Sequence, residues 1–192
     1  HSFPTRRSSD LLDGFHEYRD RIRFVACRQE GGAAFMAEAY GQLTGRPAAC
    51  LATRAVGAAN LAIGIHTARQ DSTPMFAVVG DLRRERRGRE AFQEAEITES
   101  FGRLAKHAVT LERASAVPKT MDDAVRIALS GRPGPAVIAV GEDLLDERFV
   151  PAGLPVARRT GPPPPDPDDL RAVLRLLTDA ERPLILAGAG VL

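Results

Sequence analysis

Five short apolar runs alternate along the chain with longer, small-residue-rich stretches, and this alternation most constrains the fold. The runs are Ile22–Cys27, Pro47–Ala52, Pro74–Val79, His107–Leu111 and Ala136–Val140. Runs this short and this apolar fit strands buried on both faces of a sheet. The stretches between them read as helices over Glu30–Thr44, Gly57–Arg69, Ala95–Gly102 and Pro118–Ser130. In the first, Phe35, Met36 and Tyr40 fall at helical spacing, and Gly45 follows as a suitable residue past a helix end. The second is rich in small residues and so suited to close packing, and the fourth opens on a proline. Strands and helices in this order imply βαβ crossovers, hence an α/β fold with a parallel sheet covered by helices on both faces. Ligands of such sheets bind beyond the carboxyl ends of the strands. The turns Arg28–Glu30, Thr53–Gly57 and Gly80–Asp81 are therefore where chemistry is expected.

The flanks differ in kind. Residues 1–11 are polar, carry Arg6-Arg7-Ser8-Ser9-Asp10 and match no element that follows, so they are set aside as a non-native segment. The first domain is expected to occupy residues 12–150. Pro151–Pro167 holds seven prolines, among them Pro162-Pro163-Pro164-Pro165, and reads as a stiff connector. Beyond it, Asp166–Ala180 reads as a helix with acidic residues in its first turn, and Pro183–Ala187 as a strand followed by Gly188-Ala189-Gly190. Residues 168–192 are expected to be the start of a second α/β domain.

Charge excludes several classes of partner. The net charge of +1 gives no electrostatic case for nucleic acid or a membrane surface. Arg83, Arg84, Arg86, Arg87 and Arg89 are interleaved with Glu85 and Glu90 and read as a solvated loop. The two cysteines, Cys27 and Cys50, lie in apolar runs and read as small buried hydrophobes of a reducing compartment. No apolar run reaches the roughly 18 residues of a membrane span, and no secretory core precedes the first strand, so the expected location is cytoplasmic.

Four segments carry the chemical signal. They are Arg28-Gln29-Glu30-Gly31-Gly32 with Ala37-Glu38-Ala39-Tyr40; Ala52-Thr53-Arg54-Ala55-Val56-Gly57-Ala58-Ala59-Asn60; Asp71-Ser72-Thr73-Pro74; and Ala91-Phe92-Gln93-Glu94, with Lys106 and Gly131-Arg132-Pro133-Gly134-Pro135 behind it. Each alone is weak. In this order and spacing, over about Ile22 to Asp143, they resemble the N-terminal domain of the thiamine-diphosphate-dependent enzymes typified by acetolactate synthase, pyruvate oxidase and benzoylformate decarboxylase. The stretch Leu170–Val191 resembles the start of that family's central domain.

The resemblance implies a function in the decarboxylation and carboligation of 2-oxo acids. It implies that Glu30 hydrogen-bonds the pyrimidine of thiamine diphosphate, favours the imino tautomer and so creates the cofactor's internal base, a role that calls for an apolar pocket. Gly31 and Gly32 permit close approach there. Alone, Glu30 reads rather as an acidic residue complementing a helix N-terminus, and only the other segments favour the cofactor role. The implied cofactor-binding set is Glu30, Thr53, Val56, Gly57 and Asn60. The family's Gly-Pro is here Ala55-Val56, which loses a fixed φ and adds a branched side chain, and Gln29 stands where a histidine is often found. Phe92, Gln93 and Lys106 fall on the implied substrate side. Gln93 is implied to reach the active centre from the partner subunit and to act catalytically with Glu30, while Phe92 has an alternative as a core residue. Asp71 and Pro74 read as structural, closing the turn before the third strand. The resemblance further implies diphosphate and Mg²⁺ bound by a separate domain, a 2-oxo acid substrate, and a dimer or tetramer of the full-length chain.

Two other readings stand beside this one. Gly188-Ala189-Gly190 after a strand is part of a dinucleotide-binding pattern, but the helix and acidic residue it needs fall beyond residue 192 and it leaves Glu30 unexplained. A non-catalytic relative that keeps the fold for oligomerisation or regulation would accommodate Ala55-Val56.

Overall fold

The computed structural model describes residues 6–150 and 163–191, with side-chain surroundings from residue 11 onward apart from residue 189. Most of the expected connector, 151–162, lies outside the described residues. The core is a four-stranded sheet, all parallel, in the order β1-β2-β4-β3. The strands are β1 (Ala48–Thr53), β2 (Met75–Asp81), β3 (His107–Leu111) and β4 (Pro135–Gly141). Six helices accompany them: α1 (Arg6–Glu17), α2 (Glu30–Thr44), α3 (Arg54–Gln70), α4 (Ile97–Phe101), α5 (Val117–Leu129) and α6 (Pro167–Asp179). The expected α/β fold is thus the one observed, with strand bounds within about two residues.

Alternation along the strands sorts the helices onto two faces. Met75, Ala77, Val79, Val137 and Ala139 point toward α2, α3 and α4, where they bury Ala34, Leu61, Ile65, Ile97 and Phe101. Phe76, Ala136 and Ile138 point the other way, onto Ala124 and Ala128 of α5. Small residues set the close approaches. A Cβ on Gly64 of α3 would stand 2.5 Å from the Cβ of Ala34 in α2, and one on Gly41 would stand 2.3 Å from the Pro74 carbonyl oxygen. Pro74 is buried and Asp71 caps α3 through its N–H to the Thr67 carbonyl, so both serve the turn before β2. Gly45 ends α2 at φ 63, the left-handed angle expected past a helix end.

Two expected strands are absent. Ile22–Cys27 runs outside the sheet, and Ile22, Phe24 and Val25 are each about half exposed. Arg23 interrupts the apolar run, and Phe24 stacks on Phe15 of α1 at 5.3 Å between ring centroids, so its ring faces a helix and not a strand neighbour. Cys27 is exposed with it, contrary to expectation, whereas Cys50 is buried in β1. Pro183–Ala187 forms no strand either: the segment is exposed throughout and pairs with nothing among the described residues. Gly188-Ala189-Gly190 leads into one turn of 3-10 helix, not into the helix that dinucleotide binding requires. Helix α1 begins at Arg6, inside the segment that composition sets apart.

Candidate functional site

Parallel pairing brings the carboxyl ends of the strands to one edge. Thr53 lies level with Gly80, Gly80 with Val140, and Val140 with Leu111. Glu30 opens α2 at this edge. Gln29, in extended conformation, caps the helix by accepting the Gly32 N–H at 2.8 Å. That bond satisfies one of the helix's free donors and leaves the Glu30 carboxylate to side-chain partners. Asn60 of α3 donates Nδ2 to Glu30 Oε2 at 3.0 Å. The other oxygen, Oε1, faces Gly57: a Cβ added there would lie 3.6 Å from it and 2.9 Å from the Cβ of Ala52. Glu30, Gly57 and Asn60 therefore meet at one point. Glu30 is half-buried, at an open edge and not inside a sealed apolar pocket.

The turn that carries Gly57 accommodates the sequence departure without distortion at Ala55 or Val56. The left-handed residue is Arg54, at φ 55, and Ala55 and Val56 already belong to the first turn of α3. Arg54 reaches across the carboxyl end of β2 to an ion pair with Glu142, just past β4. Thr53 ends β1 and packs beside Gly80, with no side-chain capping bond to α3. Val56 is 55% exposed on the outer face of α3.

Gln93 joins the same turn. Its carbonyl accepts the Ala55 N–H at 3.4 Å, and Gln93 is itself left-handed at φ 62. Glu30 and Gln93 thus flank one turn of one chain, although the resemblance divides them between subunits. Phe92 is 78% exposed and is no core residue. Lys106 stands elsewhere. It precedes β3 and so lies at the amino end of the sheet, where Nζ donates to the Ser130 carbonyl at 2.5 Å. Its stem packs on Gly134, and burial, followed by the charge of Arg69, pulls its pKa down. Spacing could not reveal this, because a residue one position before a parallel strand sits at the pole opposite the ligand edge.

The arginine loop is largely exposed, as expected, but three of its arginines are tied by ion pairs. Arg87 pairs with buried Asp81 at 3.2 Å and with Glu112 at 3.4 Å. Arg84 pairs with Asp143 at 2.5 Å and with Glu147 at 2.6 Å, and Arg83 with Asp146 at 3.2 Å. These bonds lace the loop after β2 to those after β3 and β4. Burial pushes the Asp143 carboxyl up, but the bonds from the Arg84 side chain and backbone outweigh it and hold it below the ordinary range. The Ala114 N–H, then Arg84, hold Glu147 low. The signal for this lattice was the acidic run Glu142–Glu147, opposite in sign to the loop but about 60 residues away. Among the described residues no group of three or more His, Cys, Asp or Glu side chains is placed to hold a metal ion, and no helix is long and apolar enough to cross a membrane.

Comparison with known proteins bears on this edge. Residues 2–100 match the family described as thiamine pyrophosphate enzyme, N-terminal TPP binding domain. An acetolactate synthase from Arabidopsis thaliana, described as chloroplastic, is 34% identical over 176 residues, covering 89% of this chain and 26% of its own length. The acetolactate synthase of Arthrospira platensis is 34% identical over 181 residues, covering 92% of this chain and 31% of its own length. That of Mycobacterium leprae (strain TN) is 33% identical over 178 residues, covering 91% and 28%. The chain thus spans between a quarter and a third of the length of these relatives.

Proposed function

The chain belongs to the thiamine pyrophosphate enzyme family, in which it matches the N-terminal TPP-binding domain, and from that premise we infer that it supplies the cofactor-activating half of an active centre acting on 2-oxo acids. The observation that carries the reading is the meeting of Glu30, Gly57 and Asn60. Asn60 holds one oxygen of the Glu30 carboxylate at 3.0 Å, and Gly57, lacking a Cβ, keeps the approach to the other oxygen open. These residues suit a flat heterocycle with a ring nitrogen to be hydrogen-bonded. When bound, thiamine diphosphate supplies a carbanion equivalent that adds to a carbonyl carbon. The role of this chain is to orient the pyrimidine with Thr53, Val56, Gly57 and Asn60 and to hold a proton at Glu30. Gln93 and Phe92, on the far side of the same turn, face the substrate. Lys106 has no part in this proposal, because it sits at the other end of the sheet.

The diphosphate and Mg²⁺ fall to residues outside this chain, so the chain alone is inactive and binds the cofactor weakly. The relatives' acetolactate synthase names favour a decarboxylating carboligase with a small 2-oxo acid substrate. A second copy of the full-length protein is the proposed partner. Its support is the exposed apolar surface of α2 and α3, where Met36, Tyr40, Leu43, Val56 and Ile63 are each at least 45% exposed. Against the non-catalytic alternative, Ala55 and Val56 take helical positions and leave the Glu30–Asn60 contact in place.

Glu30→Gln in the full-length protein tests the reading. The amide keeps size and shape but cannot hold the proton. Exchange of the thiazolium proton and turnover should fall by about two orders of magnitude or more, with an unchanged melting temperature. Exchange at the parent rate with an intact fold would reduce Glu30 to a helix-start residue.

A further inference from the structure

The segment 88–94 carries the substrate-side pair Phe92–Gln93 in an unusual backbone. Gly88, Glu90 and Gln93 are all left-handed, at φ 72, 52 and 62. Non-glycine residues hold such angles only when their surroundings enforce them. The enforcing group is Glu94. One carboxylate oxygen, Oε1, accepts the Gly88 N–H, and the other, Oε2, accepts the Ala91 N–H at 2.8 Å. The carboxylate closes a ring through its own upstream loop and draws residues 88 to 94 into a compact bend. The bend projects the Phe92 ring outward and presses the Gln93 carbonyl onto the Ala55 N–H. It also walls an open depression of about 520 Å³ lined by Gly88, Glu90, Ala91, Gln93 and Glu94. The Ala91 N–H, then that of Gly88, hold the Glu94 carboxyl below its ordinary range, so the clamp is ionised at neutral pH.

We propose that Glu94 is the positioning residue of the substrate side: its two-oxygen clamp on Gly88 and Ala91 fixes the bend that carries Phe92 and holds the Gln93 carbonyl against the turn that carries Gly57. Both Glu94 oxygens are taken up by backbone N–H groups. The residue acts by removing the freedom of a loop that would otherwise sample many conformations, and a misplacement of about 1 Å at a reacting group can cost a hundredfold. Two acceptors are needed for two donors. A glutamine offers one oxygen and one NH₂, so one backbone N–H would meet another donor. The clamp also connects the substrate side with the cofactor side, because Gln93 reaches Ala55 only from this bend. The proposal rests on the reading of the site given above.

The test uses the full-length protein with pyruvate as the probe substrate and two variants that attack the bend differently. Glu94→Gln removes one acceptor. Gly88→Ala leaves Glu94 intact and meets no atom within 4 Å, but places a side chain at φ 72. Hydrogen exchange at the amide of residue 88 or of Ala91, or at both, should accelerate by about ten- to a hundredfold in each variant, the worth of a bond to a charged group. KM for pyruvate should rise about tenfold or more while cofactor affinity and melting temperature hold. Unchanged exchange at both residue 88 and Ala91 in Glu94→Gln, or an unchanged KM, overturns the proposal. So does a joint fall of melting temperature and cofactor affinity, which would mark Glu94 as a general structural residue. The amide exchange needs no turnover. A parent protein without thiamine-dependent activity would refute the site reading, while exchange would still decide whether the clamp exists.

Discussion

Gly64→Ala probes the contact that sets the distance between the two helices of the site. The added Cβ would stand 2.5 Å from the Cβ of Ala34, 3.0 Å from its carbonyl carbon and 3.1 Å from the Phe35 nitrogen. Ordinary contact begins at 3.4 Å, so α2 and α3 must part by about 0.9 Å at this point. Two of the three close atoms are backbone and cannot rotate away. Asn60 and Glu30 lie one helical turn from Gly64 and Ala34 on their respective helices. The same displacement would stretch their 3.0 Å bond beyond hydrogen-bonding range. Overpacking costs about 1–3 kcal/mol, and the lost bond adds about 1 kcal/mol. Alanine's better helix propensity returns about 1 kcal/mol. The net loss is about 1–3 kcal/mol, or about 3–10 °C in melting temperature for a chain of this size. Thermal melting followed by circular dichroism reads this directly. Gly14→Ala in α1 is the control: its Cβ meets nothing within 4 Å, so propensity alone acts and the melting temperature should not fall. If Gly64→Ala melts at or above the parent, the helices are not in the tight contact described and the geometry of Glu30 and Asn60 does not depend on it.

Three further outcomes are expected. Because Asp143, Glu147 and Glu94 are held below the ordinary carboxylate range, the unfolded chain binds more protons in acid. Stability should therefore be level above about pH 5 and fall as pH drops through the folded pKa values; Arg84→Met should flatten that acid slope in denaturant titrations. Burial pushes the Cys50 thiol up to about 12, so iodoacetamide at neutral pH should label exposed Cys27 and leave Cys50 unmodified until denaturant is added, as read by mass spectrometry. The isolated chain should self-associate in sedimentation through the apolar face of α2 and α3, and Leu43→Lys, at a position 84% exposed, should weaken that association without lowering the melting temperature; a monomer at high concentration would refute it.

What could be read from the sequence was what local pattern encodes. Strands β1 to β4 were legible because each is a short apolar run bounded by turn residues, and Glu30, Gly57 and Asn60 because the family pattern places them on adjacent turns. What failed depended on partners distant in sequence. Ile22–Cys27 has the composition of a strand, but pairing is a tertiary event, and its Phe24 stacks on Phe15 instead. The pairing of the arginine loop is invisible locally because its counter-charges lie about 60 residues on, at Asp143, Asp146 and Glu147. Lys106 sat at a plausible spacing, but only the direction of β3 places it at the opposite pole. The Glu94 clamp is a local device, and its trace is an acidic side chain three residues beyond Ala91 and six beyond a glycine.

The departure at Ala55-Val56 shows how the edge tolerates sequence change. A Gly-Pro turn relies on backbone freedom followed by a fixed φ. Here the left-handed angle falls on Arg54, and Ala55 and Val56 stand in the first turn of α3. A non-glycine at φ 55 costs of order 1 kcal/mol. The ion pair of Arg54 with Glu142, each about a quarter to a third exposed, offsets at most a comparable amount. The second left-handed residue, Gln93, meets this turn through a single backbone bond of 3.4 Å and is stabilised in turn by Glu94. These two left-handed positions of the edge are thus anchored through carboxylates, Glu142 for Arg54 and Glu94 for the bend of Gln93. Charge organises the carboxyl edge, and apolar packing organises the helices behind it. Acid or high salt should loosen the edge, and with it Phe92 and Gln93, while Leu61, Ile65 and Val79 still hold the sheet and helices together.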